Sequence, residues 1–282
     1  MKILVTGVNG QLGRDVVEEL KQRGIDTVAP VRQQMDITDA QQVENFLRQE
    51  KPDTVIHCAA YTAVDKAEDD RENCADVNVN GTQYLAKACK ELGCKMMYIS
   101  TDYVFDGTGE RPWEPEDVVT QPLNYYGETK YEGELKIRQY LDQYFIVRIS
   151  WVFGENGGNF IKTMLRLGKE RGKVSVVDDQ IGSPTYTKDL AALLADMIGT
   201  EEYGIYHATN EGLCSWYEFA QEIFAAAGMQ VQVTPVKSTE FPTRAKRPFN
   251  SRMSKDKLEK HGFKKLPSWQ NATDRYVKSL LH

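Results

Sequence analysis

The amino-terminal stretch Met1-Lys2-Ile3-Leu4-Val5-Thr6-Gly7-Val8-Asn9-Gly10-Gln11-Leu12-Gly13 decides the fold. Its apolar run from Ile3 is typical of a buried parallel strand, and glycines follow in the spacing G-x-x-G-x-x-G. Apolar residues then recur at helical spacing at Val16, Val17 and Leu20. A strand, a glycine turn and a helix in this order predict a phosphate site. The turn lets the backbone approach a pyrophosphate, and the helix N-terminus offers free N–H groups.

The alternation of strand and helix continues along the chain. Strands are predicted at Thr27–Val31, Val55–Cys58, Met96–Ser100 and Phe145–Ile149, and helices at Ala40–Gln49, Val77–Leu92 and Tyr126–Gln139. Thr38 or Asp39 is expected to cap the first of these helices. Such alternation predicts an α/β fold with a doubly wound parallel sheet, in which ligands bind beyond the carboxyl ends of the strands.

A second informative stretch is Asn124-Tyr125-Tyr126-Gly127-Glu128-Thr129-Lys130. On a helix, Tyr126 and Lys130 lie one turn apart on the same face. A free phenol has a pKa of about 10, and a neighbouring ammonium favours its ionised form. By spacing alone an exposed helical pair is the commoner explanation. Together with the amino-terminal glycine turn, the pair indicates acid/base chemistry next to a bound cofactor.

The residues Thr6–Gly13 (TGxxGxxG) and the Tyr126/Lys130 pair together resemble the extended short-chain dehydrogenase/reductase family. Within it, longer stretches look like the dTDP-4-dehydrorhamnose reductases, namely Ser100–Gly107, Pro122–Gly127, Arg148–Gly154 and Gln180–Tyr186. The resemblance covers most of the chain and weakens after about residue 210. It implies the NADPH-dependent reduction of the 4-keto group of dTDP-4-dehydro-L-rhamnose to dTDP-L-rhamnose, the last step of dTDP-rhamnose biosynthesis.

The resemblance also implies two domains. A Rossmann-type NADP(H)-binding domain is expected to comprise residues 1–150 plus about 174–200, with strand-like Val174–Val177 and helical Lys188–Ile198 returning to the first sheet. A smaller α/β lobe that binds the sugar nucleotide is expected to comprise about 151–173 plus 201–282. The expected partner is a dTDP-sugar substrate, bound by a monomer or a homodimer.

The resemblance assigns three catalytic residues. Tyr126 is expected to give a proton to the carbonyl oxygen, and Lys130 to lower the pKa of that phenol and to bond the nicotinamide ribose. Thr101 is expected to donate a hydrogen bond to the carbonyl oxygen. Neighbouring residues on a strand point to opposite faces, so only one of Ser100 and Thr101 faces the site, and the resemblance selects Thr101. Tyr125 is excluded because it lies off the face of Lys130.

The end of the second predicted strand indicates the cofactor. NAD-binding proteins usually place an acidic residue there, whereas this chain has Val31-Arg32-Gln33 and no acid until Asp36. Arg32 suits a 2′-phosphate, so NADPH is the expected donor with NADH as an alternative; a solvated loop charge is the other interpretation of Arg32. The full set of expected cofactor-binding residues is Gly7, Asn9, Gly10, Gln11, Leu12, Gly13, Arg32, Asp36, Ile37, Ala59, Ala60, Tyr61, Asn78, Tyr126 and Lys130.

Residues expected to contact the substrate follow the catalytic threonine. The resemblance implies Thr101, Asp102, Val104, Phe105, Tyr126, Trp151 and Arg247. Trp151 is either a cover for the sugar ring or a core residue. Arg244 and Arg247 are either clamps for the diphosphate or part of a basic surface loop. His57 is expected to be a hydrogen-bonded core residue, and His207 has no assigned role.

Composition narrows the class of protein. The 282 residues carry a net charge of −6, which argues against a nucleic-acid partner. Five cysteines without a C-x-x-C pair suggest reduced thiols in a cytoplasmic protein, and the sequence offers no leader and no stretch of membrane-spanning length. Members of the family sometimes dimerise around Mg²⁺ held by carboxylates. Asp15 stands at the first of those positions, but the other ligands are not identifiable, so no metal is predicted.

Two alternatives remain open. One is another sugar-nucleotide epimerase, dehydratase or reductase of the superfamily. Dehydratases commonly follow the threonine with Asp-Glu, whereas here Tyr103 follows Asp102. The other is a non-catalytic NADP-binding protein similar to the regulatory subunit of methionine adenosyltransferase. The presence of Thr101, Tyr126 and Lys130 argues against it.

Overall fold

A computed structural model describes residues 1–281. Its strands are β1 (Lys2–Thr6), β2 (Asp26–Val28), β3 (Thr54–His57), β4 (Lys95–Thr101), β5 (Tyr144–Ile149), β6 (Val152–Phe153), β7 (Lys173–Val177), β8 (Ile181–Gly182), β9 (Thr185–Tyr186), β10 (Gly204–His207), β11 (Cys214–Ser215) and β12 (Gln232–Val236). Its helices are α1 (Gln11–Gln22), α2 (Ala40–Glu50), α3 (Val64–Ala67), α4 (Arg71–Ala75), α5 (Thr82–Leu92), α6 (Tyr125–Tyr140), α7 (Phe160–Arg171), α8 (Thr187–Met197), α9 (Trp216–Ala226), α10 (Asp256–Lys260) and α11 (Trp269–Leu281).

Six of the strands form one parallel sheet in the order β10-β5-β4-β3-β1-β2. Helices cover both faces, because the side chains of each strand alternate between them. In β1, Ile3 and Val5 pack with α1 and α8 on one face, while Leu4 packs with α2 and α5 on the other. The predicted doubly wound, Rossmann-type sheet is therefore confirmed.

Most predicted elements are present, with two changes in their bounds. Asp39 caps α2 by accepting hydrogen bonds from the N–H groups of Gln41 and Gln42. The second strand ends at Val28, so Arg32 lies in the loop that follows it. The helix predicted from Val77 begins instead with α4 and passes through a π-helical turn, Asp76–Gly81, into α5.

The predicted return to the first sheet is correct for a helix and wrong for a strand. Helix α8 packs against α1 in the main core. Strand β7 pairs instead with β12 in a two-stranded sheet of the second lobe. Its side chains are only half-buried, whereas a strand inside the parallel sheet is covered on both faces. The sheet is completed by β10, which was assigned to the other lobe and pairs with β5.

The second lobe has its own core of aromatic side chains. Phe153 stacks on Tyr186 with ring centroids 5.2 Å apart, and Phe219 and Tyr276 pack against Phe153. Helices α7, α9 and α11 supply most of this core. All five cysteines are free thiols within the described chain. Over residues 1–281 no helix has the length and apolar character needed to span a membrane.

Candidate active site

A cavity of about 660 Å³ lies at the carboxyl ends of the parallel strands. Its wall is formed by segments that follow β1, β2 and β3 and by the ends of β4 and β5, together with two side chains of α6. One side of this wall, which we call the cofactor end, comprises Thr6–Gly13, Arg32 and Ala59–Tyr61. We call another side of this wall, formed by Asp102, Tyr103 and Trp151, the substrate end, because the sequence predicts substrate contacts there. The name includes the neighbouring residues Val104, Phe105, Arg247 and Ser251, which do not line this cavity.

The glycine turn is shaped for close approach of a backbone to a ligand. Gly7 has a φ of +71°, and a Cβ there would lie 2.6 Å from the backbone N of Ala59. Gly10 begins α1 without a side-chain cap, so the first N–H groups of the helix are left for a ligand. An uncapped helix N-terminus beside a turn without side chains fits the pyrophosphate of a dinucleotide.

A single cation stands at the rim of the cofactor end. The Arg32 side chain is 76% exposed, and its Nε donates to Oδ2 of Asp36 at 2.9 Å. Both residues line the cavity. The short second strand places Arg32 in a loop, where its guanidinium is free to turn toward a phosphate.

The start of α6 fixes the positions of Tyr126 and Lys130. Asn124 caps the helix by accepting a hydrogen bond from the Gly127 N–H, and its own amide donates to the Lys246 carbonyl. Gly127 is required here, because a Cβ would lie 2.1 Å from the Tyr103 carbonyl oxygen. Tyr126 and Lys130 then both line the cavity, as predicted for residues one turn apart. Tyr125 does not line it.

Burial dominates the ionisation of this pair. Burial lowers the pKa of Lys130 to about 7, although Glu134 raises it in part. The Lys130 Nζ donates to the Ile99 carbonyl at 2.8 Å. Burial, and then the charge of Asp102, raise the pKa of Tyr126 above its usual value. The net shift is therefore upward, opposite to the expected lowering, because desolvation of the phenolate outweighs any stabilisation by Lys130.

Helix α6 is tied to the sheet below the pair by a buried ion pair. Arg148 donates to both carboxylate oxygens of Glu134, at 2.9 and 2.7 Å. The Ser100 hydroxyl donates to the same carboxylate at 2.6 Å. The Ser100 hydroxyl therefore anchors α6, whereas the Thr101 side chain lies near enough to Tyr126 to lower the pKa of its phenol in part. The choice of Thr101 over Ser100 as the catalytic hydroxyl stays a prediction.

Asp102 lies buried between two hydroxyl groups. The Thr101 hydroxyl donates to its Oδ1 at 3.0 Å, and the Ser251 hydroxyl donates to its Oδ2 at 2.5 Å. Burial raises the pKa of Asp102 to about 6, while these two hydrogen bonds lower it in part. Ser251, which lies 149 positions further along the chain, thus helps to hold the Asp102 carboxylate in place.

The family model described as RmlD substrate binding domain matches residues 1–282. The chain belongs to the RmlD family. Bacillus subtilis spore coat polysaccharide biosynthesis protein SpsK is 38% identical over 98% of this chain and 96% of that protein. Aggregatibacter actinomycetemcomitans dTDP-4-dehydrorhamnose reductase is 41% identical over 96% of both chains. The crystal structure of Bacillus anthracis dTDP-4-dehydrorhamnose reductase in complex with NADP has a TM-score of 0.96 and 43% identity, covering 99% of this chain and 100% of that chain.

These matches confirm the resemblance predicted from the sequence, to the extended short-chain dehydrogenase/reductase family and within it to the dTDP-4-dehydrorhamnose reductases. Most of the predicted site residues lie in the wall of one cavity, namely Gly7, Asn9, Gly10, Gln11, Leu12, Gly13, Arg32, Asp36, Ile37, Ala59, Ala60, Tyr61, Thr101, Asp102, Tyr126, Lys130 and Trp151. Their roles stay predictions.

Four predicted site residues of this RmlD-family chain lie outside the cavity wall. Asn78 is buried in the π-helical turn, where its side chain bonds the backbone N–H and carbonyl of Tyr61. Val104 is buried in the segment that follows Asp102. Phe105 is also buried and stacks on Trp113 with ring centroids 4.5 Å apart. Arg247 lines a different cavity.

The position of Trp151 is compatible with both of the interpretations left open by the sequence. Its ring stacks on Trp216 with centroids 3.8 Å apart, and it also lines the cavity. It has a φ of +50°, which is unusual for a residue with a side chain. This left-handed turn after β5 lets the indole both join the lobe core and face the cavity.

The two arginines of the RmlD-family loop differ in environment. Arg247 is 22% exposed, pairs with Asp65 at 2.5 Å and approaches the Tyr103 hydroxyl at 3.5 Å. It lines a second cavity of about 280 Å³ that also contains Lys246. Arg244 is 63% exposed, pairs with Asp69, and lines neither cavity. Of these two arginines, Arg247 is the one that lines a cavity.

His57 and His207 are both buried. The Nδ1 of His57 bonds the Thr6 hydroxyl at 2.7 Å and its Nε2 bonds the Thr82 hydroxyl at 3.1 Å, which confirms the expected core role. Burial lowers the pKa of His57 to about 3. His207 packs edge-on against Phe105. Asp15 is buried, and residues 1–281 contain no group of three or more potential metal-ligating side chains.

Two important side chains were missed from the sequence. Glu134 follows Lys130 by four residues, so helical spacing gave a signal for it. Ser251 contacts Asp102 across 149 positions of sequence, and nothing in its local sequence indicates this contact.

Proposed function

We propose that this chain catalyses the NADPH-dependent reduction of dTDP-4-dehydro-L-rhamnose to dTDP-L-rhamnose. One observation carries the proposal: a tyrosine, a lysine and a threonine suited to ketone reduction line the same cavity as a glycine turn suited to a dinucleotide. The family match and the relatives named dTDP-4-dehydrorhamnose reductase support the choice of substrate. The product would serve the synthesis of a surface polysaccharide, as the name of the Bacillus subtilis relative suggests for that protein.

The cofactor would be held mainly by the cofactor end. Gly7–Gly13 would bind its pyrophosphate, Arg32 its 2′-phosphate, and Lys130 its nicotinamide ribose. NADPH, when bound, supplies the hydride. The exposed cation and the absence of an acidic residue between Val28 and Asp36 support NADPH over NADH as the donor.

The protein's own residues would manage the charge on the ketone oxygen. A ketone that accepts hydride becomes an alkoxide, so a proton must arrive as the charge develops. Tyr126 would donate that proton, and its raised pKa keeps the phenol protonated at neutral pH until it is needed. Thr101 would donate a hydrogen bond to the same oxygen. Lys130 would stabilise the phenolate left on Tyr126.

The nucleotide part of the substrate would lie in the second cavity. Arg247 lines this cavity and approaches Tyr103, which lines the first, so it stands between the two. It and Lys246 would bind the diphosphate, Arg247 leaving Asp65 to do so. The exposed rings of Phe241 and Phe249 offer apolar surfaces for the base. We place the reaction in the cytoplasm, where free thiols such as these cysteines persist.

The purified chain should oxidise NADPH when given dTDP-4-dehydro-L-rhamnose, followed by the loss of absorbance of the reduced nicotinamide. A panel with UDP and GDP 4-keto sugars, and with dTDP-4-keto sugars of other configuration, tests selectivity. Turnover of dTDP-glucose without net NADPH oxidation would instead indicate an epimerase or dehydratase. Binding of NADPH with no turnover of any 4-keto sugar would indicate the non-catalytic alternative.

A further inference from the structure

Asp102 directly follows Thr101 and lines the same cavity, and the proposed mechanism leaves it without a role. It is buried in a turn, Asp102–Val104, directly after the strand that carries Thr101. Both of its carboxylate oxygens accept hydrogen bonds from hydroxyl groups, Oδ1 from Thr101 and Oδ2 from Ser251. Each of its oxygens therefore already has a protein partner that fixes the orientation of the carboxyl group.

The Thr101 hydroxyl can donate only one hydrogen bond, so the charge on Asp102 decides which group receives it. A hydroxyl has one hydrogen to donate and two lone pairs that accept. One lone pair of Thr101 accepts from the backbone N–H of Tyr103 at 3.2 Å. When Asp102 is ionised, the single hydrogen goes to Asp102, and the substrate oxygen meets a lone pair instead of a donor.

Protonation of Asp102 reverses this arrangement. The acid then carries a hydrogen on Oδ1 and donates it to the second lone pair of Thr101. The hydroxyl hydrogen of Thr101 becomes free to point at the substrate oxygen. Ser251 continues to donate to Oδ2, which fixes the orientation of the carboxyl group in both states.

We propose that Asp102 is a positioning residue for ketone reduction, which makes Thr101 a hydrogen-bond donor to the substrate only while Asp102 is protonated. This inference rests on the proposed function. It adds a dependence of turnover on pH that originates outside the Tyr126/Lys130 pair. The raised pKa of Asp102, near 6, puts its change of charge close to neutral pH.

Other charged and titratable groups surround this carboxyl group. On α6, Tyr126 lies close enough for the charge of Asp102 to raise its pKa, and burial lowers the pKa of Lys130, one turn further along the helix, to about 7. In the turn, Tyr103 interacts with Asp102, and Arg247 from the lobe and Asp65 from α3 reach that same tyrosine. The titration of Lys130 produces its own fall in activity as pH rises, so variants must separate it from that of Asp102.

Asp102→Asn replaces the carboxyl group with an amide, which can donate a hydrogen bond as the protonated acid does. Ser251 holds the amide oxygen at the Oδ2 position, which leaves the amide N–H₂ to donate to Thr101. The kcat of the D102N enzyme is expected to equal that of wild type within about threefold at pH 5.5. The ratio of its kcat to that of wild type is expected to rise with pH. Above the pKa of Asp102, the rise is up to about tenfold for each pH unit.

Ser251→Ala is expected to raise the pKa of Asp102. Its hydroxyl stabilises the ionised carboxylate, so its removal raises the pKa of Asp102 and moves this fall in kcat to higher pH. Ser183→Ala is the matched control, because that buried hydroxyl bonds the Gly212 carbonyl instead. It should leave the pH profile unchanged. In a Thr101→Val background, D102N should no longer change the shape of the profile.

A second measurement does not depend on turnover. A ¹³C-NMR titration of the Asp102 carboxyl group with NADP⁺ bound should show a higher pKa in both S251A and T101V, since each loses a donor to the carboxylate. An unchanged pKa in T101V, or a D102N enzyme that binds NADPH but loses kcat equally at every pH, overturns the inference. Absence of turnover by wild type overturns the proposed function instead, while the titration still decides whether Asp102 and Thr101 are coupled.

Discussion

The cofactor end and the substrate end of the cavity are built in different ways. The cofactor end consists of backbone turns that directly follow β1, β2 and β3, so its shape is set within short pieces of sequence. The substrate end depends on side chains that meet across the whole chain, as Ser251 meets Asp102 and Arg247 meets Asp65. Backbone turns at strand ends specify a general dinucleotide site, whereas long-range side-chain contacts can specify one substrate.

The largest effect is expected where the two ends meet, at Tyr126. Tyr126→Phe removes the proposed proton donor and should lower kcat by about 10²- to 10⁴-fold with little change in NADPH binding. Tyr125→Phe is the matched control, because the neighbouring ring does not line the cavity. Steady-state kinetics and NADPH fluorescence measure both quantities. Activity of the Tyr126 variant close to wild type would remove the catalytic assignment.

The backbone character of the cofactor end is tested at Gly7. Gly7→Ala combines a φ of +71° with a Cβ placed 2.6 Å from Ala59, so it should lose NADPH affinity by at least about tenfold and reduce stability by about 1–3 kcal/mol. Gly24 has a φ of +69° with open space around a Cβ, so Gly24→Ala should cost only about 1 kcal/mol and retain NADPH binding. Calorimetric titration and thermal unfolding compare them. Equal losses of NADPH affinity would show that contact with Ala59 is unimportant.

The substrate end is tested with the two arginines of one loop. Arg247→Ala should raise the KM for the dTDP-sugar about 10- to 100-fold, as expected for the loss of a charge-assisted hydrogen bond, and leave the KM for NADPH unchanged. Arg244→Ala should change neither, because Arg244 lines neither cavity. If the two variants behave alike, the diphosphate does not bind at Arg247.

The smallest effect is expected at the rim of the cofactor end. Arg32→Ala should reduce the preference for NADPH over NADH, as a ratio of kcat/KM, by about five- to tenfold, since solvent screens an exposed cation. Arg48→Ala is a suitable control, because Arg48 forms a similar surface ion pair with Glu44 away from the cavity. An unchanged preference in the Arg32 variant would leave the choice of donor without its proposed cause.

The contrast between the two ends also explains what the sequence could predict. Gly7, Tyr126 and Lys130 were identified because each belongs to a short sequence pattern whose chemical purpose can be derived from its spacing. Ser251 could not be, since its contact with Asp102 depends on how the second lobe folds over the sheet. The direction of the Tyr126 pKa was also missed, because burial cannot be read from a spacing of four residues.

Errors in the fold have a similar origin. The segment Lys173–Val177 was correctly expected to be a strand, but its partner β12 lies some sixty residues further on and has no distinguishing local signal. The π-helical turn at Asp76–Gly81 has ordinary helical periodicity in sequence, so it was not distinguished from the helix that follows. Local patterns specify the element, and long-range packing selects its partner.

The position of β10 has a consequence for how the chain acquires its fold. This edge strand of the main sheet lies at Gly204–His207, after the chain has already passed through β6–β9 and α7 of the other lobe. During synthesis from the N-terminus, the sheet therefore stays one strand short until residues beyond His207 leave the ribosome. Until then the exposed edge of β5 is open to pairing with other chains, so this protein's need for chaperones should be greatest late in translation.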